Sequence, residues 1–396
     1  MLPLLWLLLA APASPPAMSS PVDPAFVSLA REVEAALRDG DEAALDARLD
    51  GEQFLQRVTR GLPVSSTFLA ALAGEVRKDG WPLGRRLLGA GGRGLRVRLL
   101  QVHMRGRTPI ALLRVLSDAG LSYLELELGR NARNEAVLVD LYPYLEGERI
   151  SESMWRVYLL AAAERGQCLT RRLRGVERQW VEQLLRWRRI ERLLGANQAR
   201  EAVAEMDRLP PRMRGARFVQ LKRLEALASL DEAEYALGLL AFEKAFPGDP
   251  LLDLYALDNP LLRGESAVMM EAIDRLDRRV ADPYLAYLRG QVKSGQDDLE
   301  GAKRSFQKAL EEDPTLWEPR VELLSLALGE ADHAGAVRLL EDMEREAGGS
   351  QVRVRLQEGP ETRAFLESAE YKAWLERQRA REGRSGGSEV AKPAGP

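Results

Sequence analysis

The residue types best suited to proton-transfer chemistry gather in one stretch of the first third of the chain. Asp140, Tyr142 and Tyr144 fall at alternate positions, so a strand through them would place all three on one face. Tyr123, His103 and Glu125 lie in neighbouring runs that could join them. A carboxylate in such company abstracts a proton beside a carbonyl when burial tunes its pKa. The same residues also make an ordinary sheet surface of tyrosines and solvated carboxylates. The two readings separate on one point: the acid–base reading requires Asp140 to be buried beside a pocket between the sheet and the helices before it.

Other chemistry finds less support. Gly89-Ala90-Gly91-Gly92-Arg93-Gly94 has the spacing of a dinucleotide-binding loop. Such a loop must follow a strand and open a helix, so that phosphate meets free helix amides. Here a helix or loop is expected before it and the strand Leu95 to Met104 after it, so the segment reads as a turn. No P-loop lysine motif, HExxH or CxxC is present, and His103 and His333 have no metal-ligand neighbours in sequence. Cys168 is the single cysteine and reads as a small helix residue. Neither a metal, a cofactor nor a catalytic residue is assigned, and the chain is read as a non-enzyme.

The elements that would carry Asp140 are an antiparallel meander. LRVRLLQVHMRG, TPIALLRVLS, LSYLELELG and AVLVDLYPYLEG are four β-rich runs separated by turn-forming segments. Ser122, Leu124, Leu126 and Leu128 share one face; Tyr123, Glu125 and Glu127 share the other, which is expected to be wetter. Ahead of the sheet, helices are expected around Phe26 to Arg38, Glu42 to Val58 and Ser66 to Lys78, punctuated by glycines. This order of helices and curved sheet, over roughly Phe26 to Gly147, resembles the cone-shaped domain named after nuclear transport factor 2. The resemblance implies a fold shared by binding modules and some isomerases.

From Ser151 to about Glu346 the pattern is helical. Val176, Trp180, Leu184 and Trp187 make one amphipathic face, and Ala199, Ala202, Met206 and Leu209 another. In PYLAYLRGQVKSGQDDLEGAKRSFQKALEEDP, small residues at Gly290 and Ala302 would let two antiparallel helices approach closely. Phe306 and Ala309 would face the next hairpin, and Pro314 would end the second helix. The spacing recurs at Gly238, Phe242, Ala245 and Pro250. One small residue per hairpin gives Ala202, Gly238, Ala272, Ala302 and Ala336, at intervals of 36, 34, 30 and 34. This resembles the tetratricopeptide repeat, whose period is ~34 residues.

The resemblance implies an α-α superhelix of helical hairpins that binds a protein or peptide along the first helix of each hairpin. Carried over through Gly290, the groove positions are Tyr284, Tyr287, Gln291 and Ser294. Arg289 and Lys293 depart from the family pattern.

The fold class expected is therefore mainly α, a stack of tetratricopeptide-like hairpins preceded by a small α+β domain with an antiparallel sheet. Residues 25–150 form that first domain and 151–346 the repeats. Residues 347–380 are a capping helix that uses Phe365, Leu366, Trp374 and Leu375, and 381–396 are a polar tail with the composition of a disordered terminus. Leu2 to Ala11 is an apolar run followed by Ala11-Pro12-Ala13, which reads as a signal peptide over 1–13 or 1–17, with 18–24 a linker. The expectation is export to a periplasmic or extracellular space; a start at Met18 would leave the protein cytoplasmic. No membrane span is expected.

Charge is divided. The whole chain carries −3, but residues 149–223 carry +10 and 224–346 carry −14. Arg171, Arg172, Arg174, Arg186, Arg188, Arg189 and Arg192, with Trp180 and Trp187 between them, could serve a polyanion. The stronger reading is a solvated helix face, with both tryptophans on the apolar stripe and the acidic segment as partner, so no nucleic-acid partner is expected. An exported scaffold or adaptor for a protein partner is the function expected. The alternative is a small-ligand-binding or isomerase domain tethered to a repeat scaffold.

Overall fold

The computed structural model describes residues 22–91, 95–117, 120–169, 171, 173, 175–258, 266–346 and 359–385. It is mainly helical, with one four-stranded antiparallel sheet near the N-terminus. The signal peptide, residues 18–21 of the 18–24 linker, Gly92 to Gly94, Arg172, Arg174 and residues 386–396 fall outside the described residues. The chain divides into two compact units, one ending at Leu254 and one starting at Tyr255.

The first unit opens with α1 (Pro24–Asp39), α2 (Glu42–Arg48), α3 (Gly51–Thr59), α4 (Ser66–Asp79) and α5 (Leu83–Gly91). The helix expected over Glu42 to Val58 is thus two. Asp50 N donates to Leu138 O at 2.8 Å, pulling the chain out to the sheet edge. The Asp50 carboxylate then accepts from the amides of Glu52 and Gln53 and restarts the helix. Helix α5 stands where a helix or loop is expected ahead of the glycine-rich segment, and it runs into that segment as far as Gly91. The sheet follows as β1 (Arg96–Arg105), β2 (Thr108–Ser117), β3 (Gly120–Arg130) and β4 (Ala136–Pro143), in the order β1-β2-β3-β4. A register shift between Glu127 and Leu128 sets Asp140 opposite Glu127 and Leu138 opposite Leu128.

One face of the sheet, with Ala111, Leu113, Leu124, Leu126, Leu128, Leu138 and Leu141, closes on Phe26, Leu29, Val33, Leu45 and Phe54. The other face carries Tyr123, Glu125, Glu127 and Asp140. It is drier than expected: Tyr123 and Asp140 are fully buried and both glutamates half-buried.

Seven helices complete the unit: α6 (Ile150–Glu164), α7 (Gly175–Glu182), α8 (Leu184–Gly195), α9 (Ala199–Asp207), α10 (Pro211–Arg214), α11 (Arg217–Ala228) and α12 (Glu232–Ala245). Ile150 belongs to the sheet core. Leu159 and Ala162 share a second core with Leu62, Val64 and Phe68 from before the sheet, and with Trp180, Trp187, Ile190, Met206 and Val219 after it. A core built from both sides of residue 150 explains why the chain does not divide there.

Helix α13 (Pro250–Asp258) runs across the division, and the second unit continues with α14 (Ser266–Val280), α15 (Pro283–Ser294), α16 (Leu299–Glu312), α17 (Glu318–Gly329), α18 (His333–Glu346), α19 (Pro360–Glu367) and α20 (Ala369–Ser385). The expected single capping helix is two, broken at Ser368, whose extended backbone and side chain cap α20. Phe365 and Trp374 seal a core with Leu324, Ala336, Leu340 and Met343, whereas Leu366 is exposed.

Of the small residues foreseen for close approach, Gly290 faces Phe306 between α15 and α16, and Gly238 faces Leu227 between α12 and α11. Ala202, Ala272, Ala302 and Ala336 are fully buried. A Cβ at Gly290 would sit 2.4 Å from the Phe306 ring, and one at Gly238 2.6 Å from Leu227. Phe242, Phe306 and Ala309 are buried, but Ala245 is exposed. The reason is Pro247. The residue before a proline is pushed out of the helical region, so Phe246 (φ −133°) ends α12 early, as Asp313 (φ −137°) before Pro314 ends α16. Pro250, expected to be the terminator, instead starts α13.

Replacing Gly290 by alanine is expected to lower stability by about 1–3 kcal/mol through overpacking against Phe306. Urea unfolding of the full chain should show part of that loss recovered when Phe306→Leu is added.

Candidate functional site

Asp140 leaves β4 on the side where α6 begins. Its carboxylate accepts from Leu141 N at 2.9 Å, Ser151 N at 3.2 Å and Ser151 Oγ at 2.5 Å, with Arg57 Nη1 at 3.7 Å. A helix leaves its first amides without internal partners, and a negative charge there also meets the helix dipole. Asp140 supplies both needs for α6. Burial pushes its pKa up, against the pull of the Ser151 and Leu141 hydrogen bonds and the Arg57 charge.

The opposite residue, Glu127, faces the same guanidinium. Arg57 Nη2 lies 2.6 Å from its Oε1, and Arg149 Nε 3.2 Å from its Oε2. Burial raises the Glu127 pKa, but the two guanidiniums outweigh it and hold the group below the usual carboxylate range. Two carboxylates on adjacent strands are thus driven apart by how much positive charge each meets.

This answers the acid–base question. Asp140 is buried, as that reading required, but both its oxygens are occupied by donors and it has no surface from which to meet a substrate. Glu125 is bound by Arg105 through two contacts of 2.7 Å and receives the Tyr144 hydroxyl at 3.1 Å. Tyr144 packs between Tyr123 and Tyr142. His103 lies on β1, where burial and then the Arg105 charge lower its pKa. The group is a packed polar layer, and its carboxylates bind guanidiniums.

A cleft of about 540 Å³ opens beside the Asp140 network. Its walls are Arg57 and Arg60 from α3, Ser151, Glu152, Trp155 and Arg156 from α6, Glu177 and Trp180 from α7, and Ala216 and Phe218 at the start of α11. Arg156 lies over the Phe218 ring at 4.2 Å while binding Glu148, with one contact of 2.7 Å. Sequence reasoning did not find this site. Its residues come from four separated helices, and the one available signal was the clustering of Trp155 and Arg156 just after the sheet.

The other expected positions are placed as follows. Gly89 to Gly91 close α5 and β1 is the next element in the chain, so helix precedes strand, the reverse of a phosphate loop; Gly92 to Gly94 lie outside the described residues. Cys168 is a free, half-buried thiol whose pKa burial pushes up. Trp180 and Trp187 are buried edge to face, ring centroids 5.2 Å apart, so they are not stacking platforms. Arg186 and Arg189 both reach Glu205, and Arg188 pairs with Glu164, while Arg192 is exposed.

In the second unit, Tyr284 and Tyr287 are buried against each other, and Tyr287 against Phe306, so neither lines an open groove. Burial, then the neighbouring Tyr284, raises the Tyr287 pKa. Gln291 is exposed, donating to the Tyr287 hydroxyl at 2.6 Å and lying 3.4 Å from Glu322, and Ser294 is half-buried. Among the described residues no helix is long and apolar enough to cross a membrane. No family model, curated protein or solved structure matches the chain.

Asp140→Ala is expected to cost about 3 kcal/mol, because it strands buried donors and Arg57, whereas Asp140→Asn retains an acceptor and costs less. Chemical denaturation of both variants checks this order.

The pKa directions fix the pH dependence. Glu127 contributes stability above the ordinary carboxylate value that is lost as pH falls through its lowered pKa. Asp140, with a raised pKa, favours the folded state at low pH and loses that contribution as pH rises. Unfolding midpoints measured from pH 7 to pH 3 should fall less steeply for Glu127→Gln than for the parent, and more steeply for Asp140→Asn.

Proposed function

We propose that this protein is an exported, non-enzymatic scaffold of tetratricopeptide-like hairpins that holds a protein or peptide partner. The observation that carries the reading is the close packing of the paired helices in the second unit, with Gly290 of α15 against Phe306 of α16 and buried alanines at Ala302 and Ala336. Such units bury their faces by stacking and present the remaining surface to a partner. The apolar run at Leu2 to Ala11 supports export. In this reading the contact residues are the exposed Gln291 and its neighbour Glu322, with Ser294 at the edge, and the two tyrosines hold the helix beneath them. An extended peptide suits such polar side chains on a firm base.

A second reading keeps the resemblance of the first domain to the nuclear transport factor 2 cone and makes it a small-ligand binder. The 540 Å³ cleft supports it in part, since a cavity of that size suits a small molecule, although only Arg57 and Arg60 of its lining belong to that domain and the rest follow it in the chain. An isomerase is disfavoured by the saturation of Asp140.

Selection of a random extended-peptide library on the full chain tests the first reading. Peptides selected should lose at least about tenfold in affinity on Gln291→Arg, a change at an exposed site, equivalent to about 1.4 kcal/mol. Peptides that bind both forms equally would remove the groove assignment. Mass spectrometry of the secreted protein should find an N-terminus between Ser14 and Met18; retention of Met1 on the exported chain would count against cleavage.

A further inference from the structure

The cleft between α3, α6, α7 and α11 has an imbalance in its hydrogen-bonding groups. Its carboxylate neighbours are engaged: Glu127 by Arg57 and Arg149, Asp140 by Ser151, and Glu148 by Arg156 and Ser153. Glu152 accepts from Arg149 N at 3.0 Å. Three donors have no partner among the described residues. These are the guanidinium of Arg60, which is exposed at the end of α3, and the indole N–H groups of Trp155 and Trp180. Trp180 is only 4% exposed, yet it lines the cleft. Buried indole N–H groups ordinarily find an acceptor, as that of Trp187 does at Glu191 and that of Trp81 at Gly51 O. The lining also includes Arg57, Ser151, Glu152, Arg156 and Glu177, with the Phe218 ring and Ala216 as apolar surface beside the indoles.

We propose that this cleft is a binding site for a small organic monocarboxylate with an aromatic or apolar body. The body lies against Trp155, Trp180 and Phe218, and the carboxylate takes the free guanidinium of Arg60 and the indole donors. The charge of the ligand follows from the walls. Arg57 and Arg156 are already neutralised by Glu127, Asp140 and Glu148, which leaves Arg60 as the uncommitted cation of the cleft among the described residues. Glu152 also lines the cleft, and its carboxylate opposes a second negative charge. A phosphate dianion or dicarboxylate is therefore a poorer fit than a monoanion. The proposal is independent of the peptide-binding reading of the second unit.

The test uses the full chain, with 4-phenylbutyrate, indole-3-propionate and decanoate as monoanions. Neutral 4-phenylbutyramide and dianionic phenyl phosphate serve as controls. Calorimetry reads affinity, and tryptophan fluorescence reports on Trp155 and Trp180. At least one monocarboxylate is expected to saturate with a Kd of about 1 mM or tighter, the value for a dozen heavy atoms at ordinary ligand efficiency. Arg60→Met should weaken it about tenfold or more, while binding of the amide is unchanged. Trp155→Phe should weaken it to a smaller degree. Ala216→Phe fills the cleft from a position of ordinary extended backbone and should abolish binding without altering the circular dichroism spectrum. The proposal is overturned if no monocarboxylate saturates, if the amide or phenyl phosphate binds as tightly as the acids, or if Ala216→Phe leaves binding intact.

Discussion

The carboxylate of Asp140 is where the sheet and the helical part of the first unit are joined. It is fully buried on the last strand, and its partners are the opening amide and hydroxyl of the next helix and a guanidinium from a helix that precedes the sheet. A buried charge is tolerated only when donors surround it. The requirement acts in both directions: α6 must begin where Ser151 can reach Asp140, and α3 must end with Arg57 beside it. Once those positions are set, Ile150 falls into the sheet core and Leu159 and Ala162 into the second core. The cleft is the space left between helices placed in this way, which is why it is lined by Arg57 and Ser151 at one end and by later helices at the other.

The same constraint explains which parts of the fold could be read from the chain. Four strands and their order follow from local alternation and turn residues, and hairpin positions follow from small residues near a 34-residue spacing; both are short-range signals. The break between α2 and α3 depends on a bond from Asp50 to Leu138, 88 positions away, and nothing local distinguishes it from an interrupted amphipathic face. The early end of α12 was in principle legible, because Pro247 stands in the sequence, but the likeness of KAFPGDP to a repeat terminus drew attention to Pro250 instead. Tyr284 and Tyr287 show a different limit. Position in a repeat says which face a residue is on, and only packing says whether the next ring covers it. Here Phe306 and the tyrosines cover one another.

The site residues were less legible than the fold. Asp140, Glu125 and Tyr144 are conspicuous because they are acid and aromatic groups at alternating positions in neighbouring β-rich runs, and the structure does bring them into one layer. Their chemistry is set by partners that no strand pattern contains: Arg57 and Arg149 for Glu127, Arg105 for Glu125, and Ser151 for Asp140. A carboxylate that looks available in sequence is therefore committed in space. Arg60, which caps the end of the helix that carries Arg57, has no such commitment among the described residues, and an uncommitted cation beside aromatic walls is more informative about binding than the larger cluster of satisfied charges.

The uneven charge along the chain has the same explanation. Residues 149–223 carry +10, yet within the first unit much of that charge is matched by contact. Arg149 and Arg156 turn back to Glu127 and Glu148, Arg217 binds Asp249 at 2.5 Å, Arg200 lies 3.1 Å from Glu234, and Arg186, Arg189 and Arg208 converge on Glu205. Glu205 is buried, so its three arginines hold a charge that would otherwise be costly to keep there. Arg217 also donates to Glu146 O at 2.5 Å, tying the start of α11 to the turn after the sheet. A polyanion would have to compete with these carboxylates for the same guanidiniums, and it would find both tryptophans already inside the core. The arginine excess of this segment thus serves to fasten helices to the sheet and to one another, and its bias toward arginine over lysine fits that use, since a planar fork can hold a carboxylate and a carbonyl at once.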